Sequence, residues 1–290
     1  MDKATISQDD KLIRDTRMIG SIKSMQQIAL LIILLFSTIL AQPAIGPLQT
    51  VGGGQIDWGN KLILVTGTGQ LSDDVSPAQH RLSGIKNARA DASSKIINIL
   101  REINITSDLT VGEAMGQTPE IDNRIRDLTN DLTLTKRPRL LPDSSVQIVA
   151  ELPLTGKLIE IIQPVISNPA NNPNKASDVS TDSATSISQL VIDMRSLGCE
   201  FALYPRIYSE AGGQIFGPGM SESSGRGAMP VQYASAASAE IHRADVMTIN
   251  GIKATGTHPC DVIISNDDAN LVSKLTNLLL SQGKVTILVE

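Results

Sequence analysis

The residue types that most often do chemistry are scattered in this 290-residue chain. Its three histidines stand singly, without the short spacing that a metal site needs: His80, His242 and His258. The serines at 221, 223 and 224 lie in a glycine-rich loop, but they lack the GxSxG surround of a nucleophile elbow. These patterns indicate a protein that is not an enzyme, with no catalytic residue, no cofactor and no metal site.

Two pairs of charged residues each allow a structural and a ligand-binding interpretation. Asp193 and Arg195 flank a predicted strand end, where alternate residues point to the same side. An ion pair is the favoured interpretation, and a ligand site is the alternative. Asp267 and Asp268 follow Ser265 at a predicted helix start, where acidic side chains favour the positive helix end. Helix capping is favoured there over cation binding.

The stretch KLILVTGTGQLSDDVSPAQH, residues 61–80, tests for a nucleotide-binding turn. Gly67 and Gly69 fit the first two positions of a GxGxxG fingerprint, but Ser72 occupies the third. The helix begins only near Ser76, too far from these glycines to share a phosphate with them. The sequence therefore predicts that the glycines end a strand and turn the chain onto a helix.

Composition narrows the class of protein. Hydrophobic residues make up 41% and charged residues 19%, which is typical of a folded chain, with cores of Ile, Leu, Val and Ala because aromatics are only 2%. A net charge of −5 without a basic stripe argues against a nucleic-acid partner. Residues 28–41 read IALLIILLFSTILA after several basic residues, which predicts a secretory signal peptide, with an uncleaved membrane anchor as the alternative.

Export follows from that segment, so we expect a periplasmic or outer-membrane-associated protein that meets a membrane only through its N-terminal segment. The predicted organisation is a signal peptide or anchor at 1–41, a flexible tether at 42–60, a domain at 61–163, a linker at 164–185 and a domain at 186–290. Both domains are expected to be α+β, each a mixed or antiparallel sheet packed against one or two helices.

Periodicity predicts the main elements of the first domain. Residues 62–65 read as a strand, and a long helix follows from Ser76-Pro77 to about 103, with an apolar stripe at helical spacing. A second helix starts at Thr118-Pro119, and SSVQIVAELPLTG reads as a strand.

The second domain is predicted to open with two strands, ISQLVIDM and CEFALYPRIY, and a hairpin turn at AGGQ. VQYASAASAEIHRA reads as a small-residue helix. The chain is predicted to end in a strand-helix-strand unit: DVIIS, a helix from Asn266 to Ser281, and KVTILVE.

Two further sets of residues are candidate sites. Cys199 and Cys260 are the only cysteines, and each is placed at a predicted strand start, so a disulfide and two separate thiols both remain open. The glycine- and serine-rich loop near 217–230 is the candidate interface loop, with four residues marked: Gly219, Ser221, Gly225 and Gly227.

A strand ending in GxG, an Ala-rich helix and a strand ending in LPLTG resemble a family of bacterial envelope proteins. That family includes small outer-membrane lipoproteins, the N-terminal domain of flagellar assembly protein T and the flagellar basal-disk lipoprotein. The matching residues are Gly67, Gly69, Ala88, Ala90, Asp91, Ala92, Leu152, Pro153, Leu154 and Gly156. The resemblance covers about Lys61 to Gly156 and implies an α/β domain that assembles into envelope rings or surface structures, without enzymatic activity. No Cys stands directly after the apolar run, which puts lipid anchoring in doubt.

The expected function is a non-enzymatic envelope component that self-assembles or scaffolds a cell-envelope structure, with a flagellum-associated structure among the hosts that the resemblance implies. Its expected partners are copies of itself and other envelope or flagellar components. The alternative is a periplasmic binding module for a small ligand or for peptidoglycan.

Overall fold

The computed structural model describes residues 46–71, 77–130, 132–166, 187–218, 227–235, 244–273 and 284–290. All of these belong to one compact unit, Gly46–Glu290. The expected signal or anchor at 1–41 and most of the expected linker at 164–185 lie outside the described residues, so the proposed domain boundaries stay predictions. The α+β class is confirmed, because each half has a sheet packed with helices.

The N-terminal half contains a six-stranded antiparallel sheet. Its strands are β1 (Leu48–Val51), β2 (Gly54–Asp57), β3 (Leu62–Gln70), β6 (Thr133–Leu134), β7 (Arg139–Leu140) and β8 (Ser145–Pro153). The order is β1-β2-β3-β8-β6, and β7 also pairs with β8. Four helices belong to this half: α1 (Pro77–Glu102), α2 (Val111–Gln117), α3 (Pro119–Asn130) and α4 (Lys157–Ile166). A small ribbon of β4 (Asn104–Thr106) and β5 (Leu109–Thr110) precedes α2.

The expected flexible tether is wrong for residues 48–57, which form the β1–β2 hairpin. Gly52 and Gly53 have φ of 54° and 84°, a left-handed conformation that suits a tight turn. Ile56 and Trp58 beyond the turn are buried, so the hairpin is held by the core. The glycines and prolines of this segment are therefore turn residues rather than marks of a flexible chain.

The glycines of the TGTG stretch also have a different role from the one predicted. β3 continues through Gly67 and Gly69 to Gln70, in register with β8 over its whole length. A Cβ on Gly67 would lie 2.3 Å from the Ala88 carbonyl oxygen of α1, and one on Gly69 would lie 2.2 Å from the Ala88 nitrogen. These glycines let a helix lie directly against the strand; they do not end it.

The apolar stripe of α1 faces the sheet as predicted. Ala88, Ala92, Ile96 and Ile99 are fully buried, whereas Leu82, which shares the spacing, is 66% exposed. The helix predicted at Thr118-Pro119 is confirmed as α3. The short helix α2 was not predicted, although Thr110 and Glu113 form a capping box at its start.

The C-terminal half contains a seven-stranded mixed sheet. Its strands are β9 (Gln189–Asp193), β10 (Ile207–Ser209), β11 (Gln214–Phe216), β12 (Val231–Ala234), β13 (Val246–Thr255), β14 (Asp261–Ile264) and β15 (Val285–Leu288), in the order β11-β10-β14-β13-β9-β15-β12. β12, β15, β9 and β13 run parallel, and β14 runs antiparallel to β13. The described helix is α5 (Asn266–Ser273).

Several predictions for this half are confirmed. ISQLVIDM supplies β9, AGGQ joins β10 to β11, and DVIIS and KVTILVE supply β14 and β15. Ser265 caps α5 by accepting a hydrogen bond from the Asp268 amide at 3.0 Å. In the final strand-helix-strand unit β14 and β15 are not neighbours, because β13 and β9 lie between them.

Two predicted elements are wrong. Residues 231–234 form β12 rather than the start of a helix, because Val231 and Tyr233 bury alternate side chains while the strand pairs with β15. In CEFALYPRIY only Ile207 and Tyr208 lie in a regular strand, and Ala202 forms an isolated bridge to Asn104 of β4. β13 was not predicted, since its exposed residues interrupt the apolar alternation.

We expect Gly67→Ala to lower the free energy of unfolding by about 1–3 kcal/mol, because the new methyl group would overlap the α1 backbone. Gly116→Ala is the matched control, since a Cβ there meets nothing within 4 Å and alanine favours a helix. Urea denaturation of both variants measures the difference. Equal stabilities would contradict the close packing of α1 on β3.

Candidate functional site

The two halves are joined by a polar cluster, here called the seam cluster: the buried residues Ser107, Arg206 and Asp261, with Asp108 at its exposed edge. Arg206 Nε donates to Asp261 Oδ2 at 2.8 Å, and its Nη2 donates to Ser107 Oγ at 2.5 Å and to Asp108. Ser107 Oγ donates to Asp261 Oδ2 at 2.7 Å. The side chains of Arg206 and Asp261 are only 9% and 3% exposed, so this is a desolvated ion pair with its hydrogen bonds satisfied.

The protonation of the seam cluster reflects burial and its partners. Burial raises the pKa of the Asp261 carboxyl, and the hydrogen bond from Ser107 and the charge of Arg206 oppose that rise. Burial alone would lower the pKa of Arg206, but the hydrogen bond to Asp108 and the Asp261 charge hold it above its ordinary value. Every group of the cluster has a structural partner, so we assign it a role in holding the halves together.

Backbone pairing and aromatic packing extend this junction. Leu203 N donates to Asn104 O at 2.9 Å, and Tyr204 N donates to Ile105 O at 2.8 Å, so β4 gains a neighbour from the other half. The Trp58 ring stacks on Phe201 with centroids 5.0 Å apart, and Tyr233 meets both rings edge-on. Half of the aromatic side chains in the described residues therefore pack together in this one contact between the halves.

A crevice opens where β9 ends and β13 bends away, here called the carboxyl-end crevice. β13 pairs with β9 up to Asn250 and with β14 from Gly251 onward, and its pairing with β14 has a bulge between Gly251 and Lys253. Carboxyl ends of parallel strands often border ligand sites in α/β sheets. The cavity measures about 490 Å³ and is lined by Asp193, Arg195, Ser196, Leu197, Asn250, Gly251 and Glu290.

The charges in this crevice are largely paired. Arg195 Nε donates to Asp193 Oδ1 at 2.9 Å, and Arg195 Nη2 donates to the other carboxylate oxygen. Ser196 Oγ donates to Glu290 Oε1 at 3.1 Å. The hydrogen bonds from Arg195 hold the pKa of Asp193 below its ordinary value. The favoured ion pair between Asp193 and Arg195 is therefore confirmed, in a crevice that also carries Glu290.

Strand β1 forms one border of the N-terminal sheet among the described residues. Trp58 N donates to Pro47 O, so Pro47, Gln49 and Val51 point their backbone groups toward β2. Leu48 and Thr50 consequently point theirs away from the sheet. Leu48 is 50% exposed, and β1 carries no charged residue. An uncharged outer strand of this kind is suited to pair with another strand.

A second stretch of strand border, the β3 ledge (Thr66–Gln70), lies beyond the end of β2. Three side chains from α1, here called the edge ladder, reach its backbone. Asn87 Nδ2 donates to Gln70 O at 2.9 Å, Thr68 N donates to Asp91 Oδ2 at 2.8 Å, and Lys95 Nζ donates to Thr66 O at 2.8 Å. Asp91 and Lys95 also form an ion pair at 2.8 Å. Although partial burial opposes it, these bonds keep the pKa of Asp91 below its ordinary value.

The structure separates the cysteine alternatives. Cys199 and Cys260 are free thiols, so of the two alternatives the separate thiols are present and the disulfide is not formed. Cys199 lies in a loop and not at a strand start, although the two chain segments are adjacent, since Glu200 N donates to Pro259 O at 2.9 Å. Burial raises the pKa of Cys199 to about 12 and raises that of Cys260 further, which keeps both thiols protonated and packed as small apolar side chains.

The remaining candidate site residues lie outside the described residues or have a structural role. Gly219, Ser221 and Gly225 of the interface loop lie outside the described residues, as does His242. Gly227 is buried, with its carbonyl accepting from the Gly156 amide at 2.5 Å, so it joins the halves. His258 Nδ1 lies 3.8 Å from Glu200 Oε2. Asp267 and Asp268 occupy the first turn of α5.

Sequence reasoning missed both the seam cluster and the edge ladder. Arg206 lies 99 residues along the chain from Ser107 and 55 residues from Asp261, and no local pattern relates them. The ladder had a signal, because Asn87, Asp91 and Lys95 recur every four residues and so share one helix face.

Residues 189–290, which span β9 to β15, match the family model described as Treponema pallidum Tp0624, second domain. No curated protein matches the chain. The C-terminal sheet of the chain is therefore similar to this domain family, and the matched range begins at β9.

In the part of the chain that the structure describes, no helix has the length and hydropathy to cross a membrane. No cluster of three or more His, Cys, Asp or Glu there could hold a metal ion.

We expect Arg206→Met to cost about 3–5 kcal/mol of unfolding free energy, because it leaves the Asp261 carboxylate buried without its cation. Arg195→Met is the control: it breaks an exposed ion pair and should cost less than about 1 kcal/mol. Adding Asp261→Asn to Arg206→Met should restore part of the loss. A cost for Arg206→Met no greater than that of the control, measured by urea unfolding, would show that the seam cluster does not hold the halves.

Proposed function

We propose that this protein is a non-enzymatic, exported envelope component that assembles with copies of itself through strand β1. The observation that carries the proposal is the border formed by Leu48–Val51, where an uncharged strand turns the backbone groups of Leu48 and Thr50 outward. A strand from a second copy can satisfy those groups by extending the sheet. The contact would be isologous if β1 pairs antiparallel with its own copy.

The junction between the halves supports a scaffolding role. The seam cluster, the pairing of β4 and the stacked aromatic rings tie the β1 sheet to the C-terminal sheet. A rigid subunit of this kind fixes the orientation of one subunit contact relative to the next. Flexible halves would leave the geometry of an assembly undefined.

The resemblance of residues 61–156 to envelope lipoproteins and flagellar proteins supports the envelope setting. The apolar run at 28–41, with basic residues before it, supports export and restricts membrane contact to the N-terminal segment. The proposed partners are further copies of the chain and other envelope or flagellar components. The proposed location is the periplasm or the periplasmic side of the outer membrane.

Thr50→Pro tests the proposed contact. Proline removes an amide that points away from β2, so the hairpin keeps its own bonds and the strand loses a donor for a partner. We expect the wild-type protein to gain mass with concentration in sedimentation equilibrium and Thr50→Pro to remain monomeric. Thr50→Ala keeps the amide and should associate like the wild type. A wild-type protein that stays monomeric throughout would overturn self-assembly.

The carboxyl-end crevice favours a second candidate function, a periplasmic binding module. Its position at the end of β9 and its volume of about 490 Å³ suit a small ligand, and the carboxylates of Asp193 and Glu290 suit one with an ammonium group. Peptidoglycan stem peptides are one source of such groups. In this interpretation Arg195 positions the Asp193 carboxylate. Because the ion pair is partly exposed, a ligand in the crevice can reach that carboxylate.

Thermal unfolding with solubilised peptidoglycan fragments tests the second candidate. We expect the melting temperature to rise with fragment concentration, and Asp193→Asn with Glu290→Gln to weaken the apparent affinity at least tenfold, about 1.4 kcal/mol. Glu160→Gln removes a carboxylate from a different open groove and should change nothing. An unchanged melting temperature for the wild type, or equal affinities for all three proteins, would exclude the crevice as this site.

A further inference from the structure

Two leucines on the surface of the N-terminal half are unusually exposed. Leu82 and Leu140 are each 66% exposed, more than any other large apolar side chain that the structure describes. A single exposed leucine is ordinary on a protein surface, whereas neighbouring ones mark an interaction surface. The elements that carry these two leucines decide whether they are neighbours.

Both leucines lie where the first turns of α1 cross the border of the sheet. Leu140 of β7 pairs with Val146 of β8, so the two side chains are on the same face of the sheet. That face is the one under α1, since a Cβ on Gly84 would lie 2.7 Å from Val146. Leu82 precedes Gly84 by two residues. Leu140 therefore lies beside the part of α1 that carries Leu82.

Leu82 is exposed because it lies beyond the end of α3. Arg89 of α1 and Asn130, the last residue of α3, border one cavity, so α3 ends beside Arg89. Leu82 precedes Arg89 by seven residues, which is about two helical turns, and thus lies on the same face of α1. The face that α3 covers further along the helix is therefore open at Leu82.

The two segments that carry the leucines are basic. Residues 81–89 and 136–143 contain six cations and one carboxylate, that of Asp143. The six cations are exposed, and within the described residues none of them forms an ion pair: Arg81, Lys86, Arg89, Lys136, Arg137 and Arg139. Asp73 and Asp74 precede α1 in the sequence, and counting them leaves the balance positive. A chain with a net charge of −5 thus has a local excess of positive charge around two exposed leucines.

We infer that Leu82, Leu140 and these six cations form a docking surface, here called the end surface, for a membrane that contains anionic phospholipid. The leucine side chains would enter the layer between headgroups and acyl chains, as the apolar residues of interfacial segments do. The cations would bind the lipid phosphates. The negative charge of the rest of the chain would be repelled by the same membrane, which orients the end surface towards it.

The combination of residue types selects a membrane over other anionic partners. A soluble phosphate would use the cations and leave both leucines in water. A single-stranded nucleic acid would need aromatic side chains on which to stack its bases, and residues 81–89 and 136–143 contain none. A lipid surface uses the leucines and the cations together.

This contact goes beyond the proposed function, in which only the N-terminal segment meets a membrane. β7 pairs with β8, on the side of the sheet away from the β1 border. A protein docked through the end surface therefore keeps β1 free for a second copy. Because the inference does not rest on pairing through β1, Thr50→Pro should leave lipid binding through the end surface unchanged.

Fluorescence of Leu140→Trp in the full chain tests the contact. Trp58 is the chain's own tryptophan and is only 1% exposed, so the new indole is the one that lipid can reach. Vesicles of phosphatidylglycerol and phosphatidylcholine with brominated acyl chains should quench it, because bromine quenches an indole that it contacts. Leu271→Trp is the control, since Leu271 of α5 is also exposed and should not be quenched.

A second pair of variants tests the charges. In the Leu140→Trp chain, Arg137→Gln with Arg139→Gln should raise the lipid concentration for half-maximal quenching about tenfold or more. Arg124→Gln with Lys157→Gln removes the same charge from a different open groove and should change that concentration far less.

Three results would each overturn the inference. The first is quenching of Leu140→Trp no greater than that of Leu271→Trp, which is also what an acidic protein partner at this surface would give. The second is equal quenching in brominated vesicles of phosphatidylcholine alone, and the third is an equal effect of the two charge variants. If Leu140→Trp does not fold, Leu82→Trp is measured in the same way, and the same three results decide.

Discussion

Backbone-to-backbone packing of α1 on β3 is the contact on which the N-terminal half depends. Gly67 and Gly69 leave no side chain between strand and helix, and Gly84 leaves room for the Val146 side chain of β8 to lie against the helix. The helix therefore lies low enough for Asn87, Asp91 and Lys95 to reach the strand backbone. A larger residue at Gly67 or Gly69 would lift α1, weaken the core and withdraw the edge ladder together. Core packing and protection of the ledge thus have one physical origin.

The second constraint is the desolvated junction between the halves. Burying Arg206 and Asp261 is favourable only with both present and their hydrogen bonds made, so the seam cluster penalises any separation of the two sheets. The segment that matches the Tp0624 second-domain family begins at β9, yet the partners of Arg206 include Ser107 and Asp108 from the other half. Arg206 and Asp261 of the C-terminal half thus make part of their hydrogen bonds with residues outside the matched range.

Much of the fold could be predicted from the sequence, and the failures share a cause. The stripe of α1, the strand ending in LPLTG and the Ser265 cap follow from periodicity and capping, which are local. Residues 231–234 were predicted as helix because the small residues that follow them in the sequence favour a helix locally, whereas pairing with β15 decides the outcome. Gly67 and Gly69 suggested a turn because nothing in the strand reveals that Ala88 lies against it. Of the candidate sites, only the pair of Asp193 and Arg195 was foreseen, because its members are two residues apart.

The proposed assembly depends on the outer strand β1, whose Leu48 and Thr50 turn their backbone groups away from β2 and can pair with a second copy. Amide exchange of the wild-type protein across a concentration series tests this most directly, because it measures the protection of these two amides themselves. The account predicts that exchange at Leu48 and Thr50 slows as concentration rises. Exchange at these two amides that stays constant while the mass increases would place the subunit contact elsewhere and contradict assembly through β1.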